Sequence, residues 1–313
     1  MNGRVNGDNM AVGIVDSGTD MMVQGTRKYP VTDLVKAKPF VTYNGRGPYG
    51  EFGSEKDLIN YLERLDDGKL RRQSDLYRVM TSRFGGWLFT DRLYEDRPRT
   101  ELDEAIYNTR SCRSVHDRKH LVREQLLKLM REGSGRFSLE DPMQIYDLGS
   151  GPSDYTVEAF AKYGMHNGRG LPAHATCIDI DPAAISRGRD LAKAAGVERH
   201  VDFKISNIGK MLREGIIKDV DLMMAIGVIC PLEDGTVMKL FTRSRDSLEE
   251  GGHFYTCAMR HHPLEGVLKR AGWNLNHREP EKVEKMMKDA GFGNIEIYLT
   301  PEELFVMALG QKG

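Results

Sequence analysis

The stretch YDLGSGPSDY, residues 146–155, ends an apolar run in a carboxylate, Asp147, followed by two glycines spaced by one, Gly149 and Gly151. Glycine admits positive φ and lets the backbone come close to a ligand, so such a turn at the carboxyl end of a central strand is suited to touch a cofactor. A dinucleotide fingerprint would carry a third glycine where Asp154 stands, and an anion at that helix start opposes a pyrophosphate. No Lys-Ser or Lys-Thr follows the glycines, which excludes a Walker loop. Asp147 suits a cationic partner instead, such as the ammonium of an amino-acid moiety. The pattern therefore points to a cationic, phosphate-free nucleoside.

Other residues could act on a substrate. His261 and His262 follow the apolar run HFYTCAM, where an acceptor would meet the cofactor. Histidine titrates near neutrality and can serve as general base for a phenol, hydroxyl or ammonium nucleophile, although two solvated loop histidines would look the same. Cys230 reads as a packing thiol that borders the cofactor. Residues 76–96 interleave Tyr77, Phe84, Trp87, Phe89 and Tyr94 with arginines, as in an aromatic cap over a flat substrate or in ordinary helix packing. Arg110, Arg113, Arg118 and Arg123 form a basic run just before the glycine turn. No Asp, Glu, Cys or His group shows metal-ligand spacing, so no metal is expected.

These residues need elements to hold them. The chain has 313 residues, with 45 Lys and Arg against 46 Asp and Glu, a formal charge of −1 that supplies no drive toward nucleic acid or an acidic membrane. Four cysteines without CxxC spacing suggest a reducing, cytoplasmic setting. Residues 1–28 read as a flexible leader, with the run AVGIV as a short strand candidate, and 29–135 as a mainly helical cap for the substrate or for dimerisation. The last cap helix is predicted from Glu101 to Arg131, with Val115, Val122, Leu126 and Leu129 on one face.

From 136 to 313 short apolar strands alternate with amphipathic helices, the pattern of a parallel sheet. Strands are expected at 143–148, 175–180, 200–205, 219–228, 253–259, 294–299 and 304–309. Asp181 should cap the helix that begins at Pro182, and the helix from Pro280 should stop at Gly291. The last two strands, joined only by LTPEE, must pair antiparallel. The expected fold is α/β, a Rossmann-like seven-stranded sheet, mostly parallel with one antiparallel strand, behind a mainly helical N-terminal region.

In order and spacing, these motifs resemble those of the class I S-adenosylmethionine-dependent methyltransferases over Met143 to Lys312. YDLGSG is similar to the family's first motif and CIDIDP to its second, in which the carboxylate ending the second strand, here Asp179, accepts the two ribose hydroxyls. FKISNI resembles the third, with Asn207 where an Asp commonly holds the adenine amine. VDLMMAIGVICPLED resembles the fourth strand and its exit, where an NPPY-like run of nucleic-acid or glutamine methylating enzymes is replaced by ICPL. The resemblance implies S-adenosylmethionine as cofactor, giving S-adenosylhomocysteine, held by Asp147, Gly149, Ser150, Gly151, Asp179, Ile180, Asn207, Ile208, Ala225, Ile226 and Gly227. It also implies a Tyr or Arg on the cofactor carboxylate from the preceding helices, for which Tyr107 and Arg110 are the candidates. The expected activity is methyl transfer by in-line displacement to a small-molecule acceptor, with His261 or His262 as base and no nucleic acid or membrane partner. The homodimer is one use of the cap. A non-catalytic cofactor-binding regulator and an RNA or protein methyltransferase are the alternatives.

Overall fold

The computed structural model describes residues 29–30, 32, 34–41, 47–82, 86–167 and 170–313. The leader and its strand candidate, like Phe84, lie outside the described residues. The back of the chain forms the expected seven-stranded sheet: β1 (Met143–Leu148), β2 (Ala173–Asp179), β3 (Val201–Ile205), β4 (Val220–Ala225), β5 (Leu248–Met259), β6 (Gly293–Leu299) and β7 (Phe305–Gln311). Their order is β3-β2-β1-β4-β5-β7-β6. Only β7 runs against its neighbours, pairing antiparallel with β5 and β6, while the other pairings are parallel. The chain reverses its direction of strand addition between β1 and β4, which opens a crevice at their carboxyl ends.

Twelve α-helices surround the sheet among the described residues. In the front part they are α1 (Glu55–Arg64), α2 (Asp67–Gln73), α3 (Asp75–Ser82), α4 (Trp87–Tyr94), α5 (Glu101–Tyr107) and α6 (Arg110–Glu132). Those between and after the strands are α7 (Asp154–Asn167), α8 (Pro182–Ala194), α9 (Ile208–Arg213), α10 (Asp234–Ser247), α11 (Glu265–Arg270) and α12 (Pro280–Asp289). Local chemistry sets many of their ends. Asp181 accepts from the Ala183 amide with Pro182 at the first helical position, and Gly291, at φ +87°, follows the end of α12.

Alternate residues of each strand enter opposite faces. Leu222 and Met224 join one core, with α6, α7, α8 and the cap helices, and Met223 and Ala225 join the other, with α9, α10 and α12. The cap residues Leu58, Leu62, Leu70 and Leu76 belong to the first of these cores, together with Ile145 of β1. The cap is thus packed into the sheet's own core.

Three expectations change. The helix expected over 101–131 is two, because Thr109 caps α6 by accepting from the Cys112 amide, while Asn108 turns its side chain to Val41 and Pro48. β4 stops at Ala225 rather than 228, since Gly227, at φ +78°, bends the chain away. β5 starts at Leu248, five residues early, through a register shift against β4.

Candidate functional site

A cavity of about 410 Å³ lies at the carboxyl ends of β1, β2 and β4. One wall is the glycine turn. Gly149 and Gly151 have φ of +62° and +55°, and the amide of Ser150 between them donates to the Ile178 carbonyl of β2. A Cβ on Gly149 would lie 2.8 Å from Val228 Cγ2, and one on Gly151 3.0 Å from Trp87 Cβ. The turn therefore needs glycine for both its conformation and its space.

Asp179, also in the wall, holds this turn in place. Its Oδ2 accepts from the Gly151 amide at 2.9 Å and its Oδ1 from the Asp181 amide at 2.9 Å. A carboxylate offers about four acceptor positions, so a lone pair remains on each oxygen for a ligand. Ile180, 68 % exposed, and Ile208 present apolar surface farther along the cavity, and Asn207 borders it while its Oδ1 caps α9 through the Lys210 amide. Ser150, Ile226 and Gly227 complete the predicted residues found in the wall.

Other predicted residues are not there. Asp147 is 0 % exposed and accepts from the hydroxyls of Ser153 and Tyr155. Burial pushes its carboxyl up to about 7 against the pull of those hydrogen bonds. Instead of facing a ligand's ammonium, it ties the turn to α7, because its side chain leaves the face of the sheet rather than its end. Ala225 points to the opposite face of the sheet and is fully buried in the second core. The Tyr107 hydroxyl donates to the Arg92 carbonyl inside the cap, and Arg110 binds Glu302 at the surface.

The aromatic and cationic residues that do line the cavity are Trp87, Tyr94, Arg118, Tyr155 and Trp273. Arg118 sits about two turns farther along the same helix as Arg110. Its guanidinium lies 4.8 Å from the Phe305 ring centroid, and a Cβ on Gly227 would be 3.4 Å from its Nη1. Its Nε is buried without a hydrogen-bond partner. Trp87 donates from Nε1 to Oδ2 of Asp181 at 2.9 Å, which holds α4 against the start of α8. The interleaved aromatics at 76–96 and the arginine run were the sequence signals for this wall, without the turn of helix that counts.

Arg118, Thr90 and Trp273 also line a second cavity, of about 90 Å³, enclosed by the cap and α11. It is overwhelmingly apolar, with Tyr77, Met80 and Phe89 on one side and Leu264, Val267 and Leu268 on the other. Trp273 packs edge-on against Phe89 with centroids 5.3 Å apart. Ser111 contributes a buried Oγ without a hydrogen-bond partner.

The predicted bases fail here for different reasons. His262 lines the second cavity, but its Nδ1 accepts from the Leu264 amide, so in the neutral ring the proton sits on Nε2. Burial, helped by His277 and His261, lowers its pKa to about 3. The ring is held neutral at neutral pH, with its acceptor nitrogen already occupied by the Leu264 amide. His261 is 80 % exposed and pairs with Glu265, lining neither cavity. Cys230 is buried, with its thiol pushed up to about 12 by that burial, and Pro231 borders the first cavity in its place. The expectation of no metal-ligand group also changes, because the fold brings His277 beside His261 and Glu265.

The family described as the methyltransferase domain matches residues 139–297. A possible exported protein from Bordetella parapertussis has a similar structure, with a TM-score of 0.58 and 14 % identity over 83 % of this chain and 97 % of that one. The structure of magnesium protoporphyrin IX methyltransferase from Synechocystis, with bound S-adenosylhomocysteine, is similar with a TM-score of 0.53 and 12 % identity over 79 % of this chain and 100 % of that one. No curated protein matches the sequence.

Proposed function

Because the chain belongs to the methyltransferase-domain family, whose methyl donor is S-adenosylmethionine, we propose that it methylates a small, largely apolar molecule held in the cavity under α11. The observation that carries this reading is the apolar cavity abutting the glycine-turn cavity across Thr90, Arg118 and Trp273.

The residues fit the cofactor in three respects. The cradle around Gly149 and Gly151 is one that a Cβ would fill. Asp179 has acceptor capacity for the ribose hydroxyls, and Ile180, Asn207 and Ile208 border the same cavity, where the adenine would lie. Arg118 has an unpaired buried Nε for a carboxylate, the role first looked for in Arg110. When bound, the cofactor supplies an activated methyl on a sulfonium whose thioether is the leaving group. The chain's own contribution is to align the acceptor and exclude water, since His262 cannot serve as base and the surrounding wall is apolar.

An apolar cavity of roughly 150 Å³ binds a benzene ring. The acceptor cavity is smaller, at about 90 Å³, and we infer that it widens on binding through a shift of α11, the short helix that covers it. This small apolar volume favours a metabolite over RNA or protein. The four buried free thiols fit a reducing compartment such as the cytoplasm, and no helix among the described residues is long and apolar enough to cross a membrane. The test is calorimetry with S-adenosylhomocysteine, then an assay of methyl transfer from labelled S-adenosylmethionine to pools of apolar hydroxylated and carboxylated metabolites. Absence of cofactor binding would refute the reading.

A further inference from the structure

Three side chains that methyl transfer does not use converge just beyond β5. Nδ1 of His261 lies 3.5 Å from Oε2 of Glu265, and the rings of His261 and His277 stand 5.9 Å apart at 77° to one another. One ligating atom from each of the three lies within 4.8 Å of the others. Zinc bonds of about 2.0–2.1 Å in a tetrahedron separate ligand atoms by roughly 3.4 Å. Side-chain adjustments on the order of an ångström close the set around one ion.

The arrangement is prepared in ways that a chance meeting would not be. Nε2 of His277 is buried and has no hydrogen-bond partner, a state that native proteins seldom leave unanswered. Glu265 divides its oxygens: Lys269 holds Oε1 at 2.6 Å, leaving Oε2 toward His261. That is how an outer partner orients a metal-ligating carboxylate. His277 is presented by backbone fixed on both sides, with the Asn276 amide donating to the Cys230 carbonyl and the Arg278 amide to the Met259 carbonyl. His261 follows Arg260, whose amide donates to the Leu304 carbonyl.

We propose that His261, Glu265 and His277 bind one divalent transition ion of the zinc class, and that this ion clips shut the cover of the apolar cavity. Two imidazoles and a carboxylate select zinc over the oxygen-seeking magnesium and calcium. The exposed side of His261 leaves the fourth position to water. Leu264, Val267, Leu268, Trp273 and Leu275, all in the cavity wall, lie between the first and last of these ligands. The ion therefore closes the segment that must open for an acceptor.

The test uses untagged full-length protein equilibrated with buffered Zn²⁺, and bound metal is measured after separation. Wild type should hold one equivalent, and His261→Ala combined with His277→Ala should lower the affinity by about tenfold or more. Co²⁺ should give wild type the intense visible bands of a four-coordinate site and leave the double variant nearly colourless. Zn²⁺ should slow amide exchange across residues 261–279 in wild type alone. Unchanged S-adenosylhomocysteine binding by the double variant shows that it is folded. Stoichiometry below a tenth of an ion per wild-type chain, or equal affinity in wild type and the folded double variant, overturns the site. Metal binding without slower exchange overturns the clip.

Discussion

The amide of Gly151 donates to Oδ2 of Asp179 at 2.9 Å, so the glycine turn after β1 and the carboxylate that ends β2 form one unit. Neither can shift without the other. The acidic residue thus has a structural bond in place before any ligand arrives, and its remaining lone pairs are already aimed by that bond.

Asp179→Asn keeps the side-chain shape and loses the charge, and because its NH2 must face one of the two backbone donors it also loses the hydrogen bond from either Gly151 or Asp181. We expect its affinity for S-adenosylhomocysteine to fall by about tenfold, or ~1.4 kcal/mol, as charge-assisted hydrogen bonds become neutral ones. Calorimetry checks this, and an unchanged dissociation constant removes Asp179 from ribose binding.

Arg118→Gln should raise the KM for the cofactor by about tenfold or more, because a buried ion pair with a carboxylate is worth more than a neutral contact. If only the acceptor's KM moves, the guanidinium serves the other cavity.

Gly151→Ala should be destabilising by at least ~1 kcal/mol, because alanine is strained at φ +55° and its Cβ would stand 3.0 Å from Trp87 Cβ. The melting temperature should drop, and S-adenosylhomocysteine should recover less of it than in wild type. A variant as stable as wild type contradicts the proposed crowding of α4 on the turn.

Val267→Phe should fill the apolar cavity while leaving the cofactor cavity, in whose wall it has no part, intact. Turnover should collapse with S-adenosylhomocysteine affinity unchanged. Full activity would place the acceptor elsewhere.

Burial holds His262 at about 3, below its ordinary 6.5. The unfolded chain therefore takes up a proton first as pH falls. The native state keeps the benefit of the neutral ring above pH 6.5 and loses it progressively between 6.5 and 3, at up to ~1.4 kcal/mol per pH unit. Asp147, raised to about 7, acts in the opposite direction, so the comparison needed is wild type against His262→Gln. The variant should gain on wild type in denaturant melts as pH is lowered from 6.5. Its alkaline rate profile should stay unchanged, since the residue is no base.

The sheet was legible because each strand announces itself locally, by a short apolar run between turn or helix signals. Ser150, Gly149, Gly151, Asp179, Ile180 and Gly227 reach the cavity because a strand's carboxyl end determines where the following backbone goes. Asp147 does not, since spacing along the chain does not say whether a side chain at the last turn of a strand leaves by the end or by the face. The choice of Tyr107 and Arg110 over Tyr94 and Arg118 failed at Asn108, whose helix-breaking partners, Val41 and Pro48, lie far away in the sequence. His262 looked like a base until the Leu264 amide was seen to occupy its acceptor nitrogen. His277 joins His261 and Glu265 only through the path of the chain around α11, which no local pattern encodes.

Arg118 belongs to the walls of both cavities. A ligand that draws the guanidinium toward one chamber takes it from the other. If the two cavities take cofactor and acceptor as proposed, the ligands cannot bind as strangers: whatever free energy one gains or loses from the other's presence is returned in equal measure. The spent cofactor, which keeps the carboxylate of the fresh one, would leave that coupling in force after the methyl has gone. On the proposed assignment of the two cavities, order of binding and the grip of the product would trace to a single side chain.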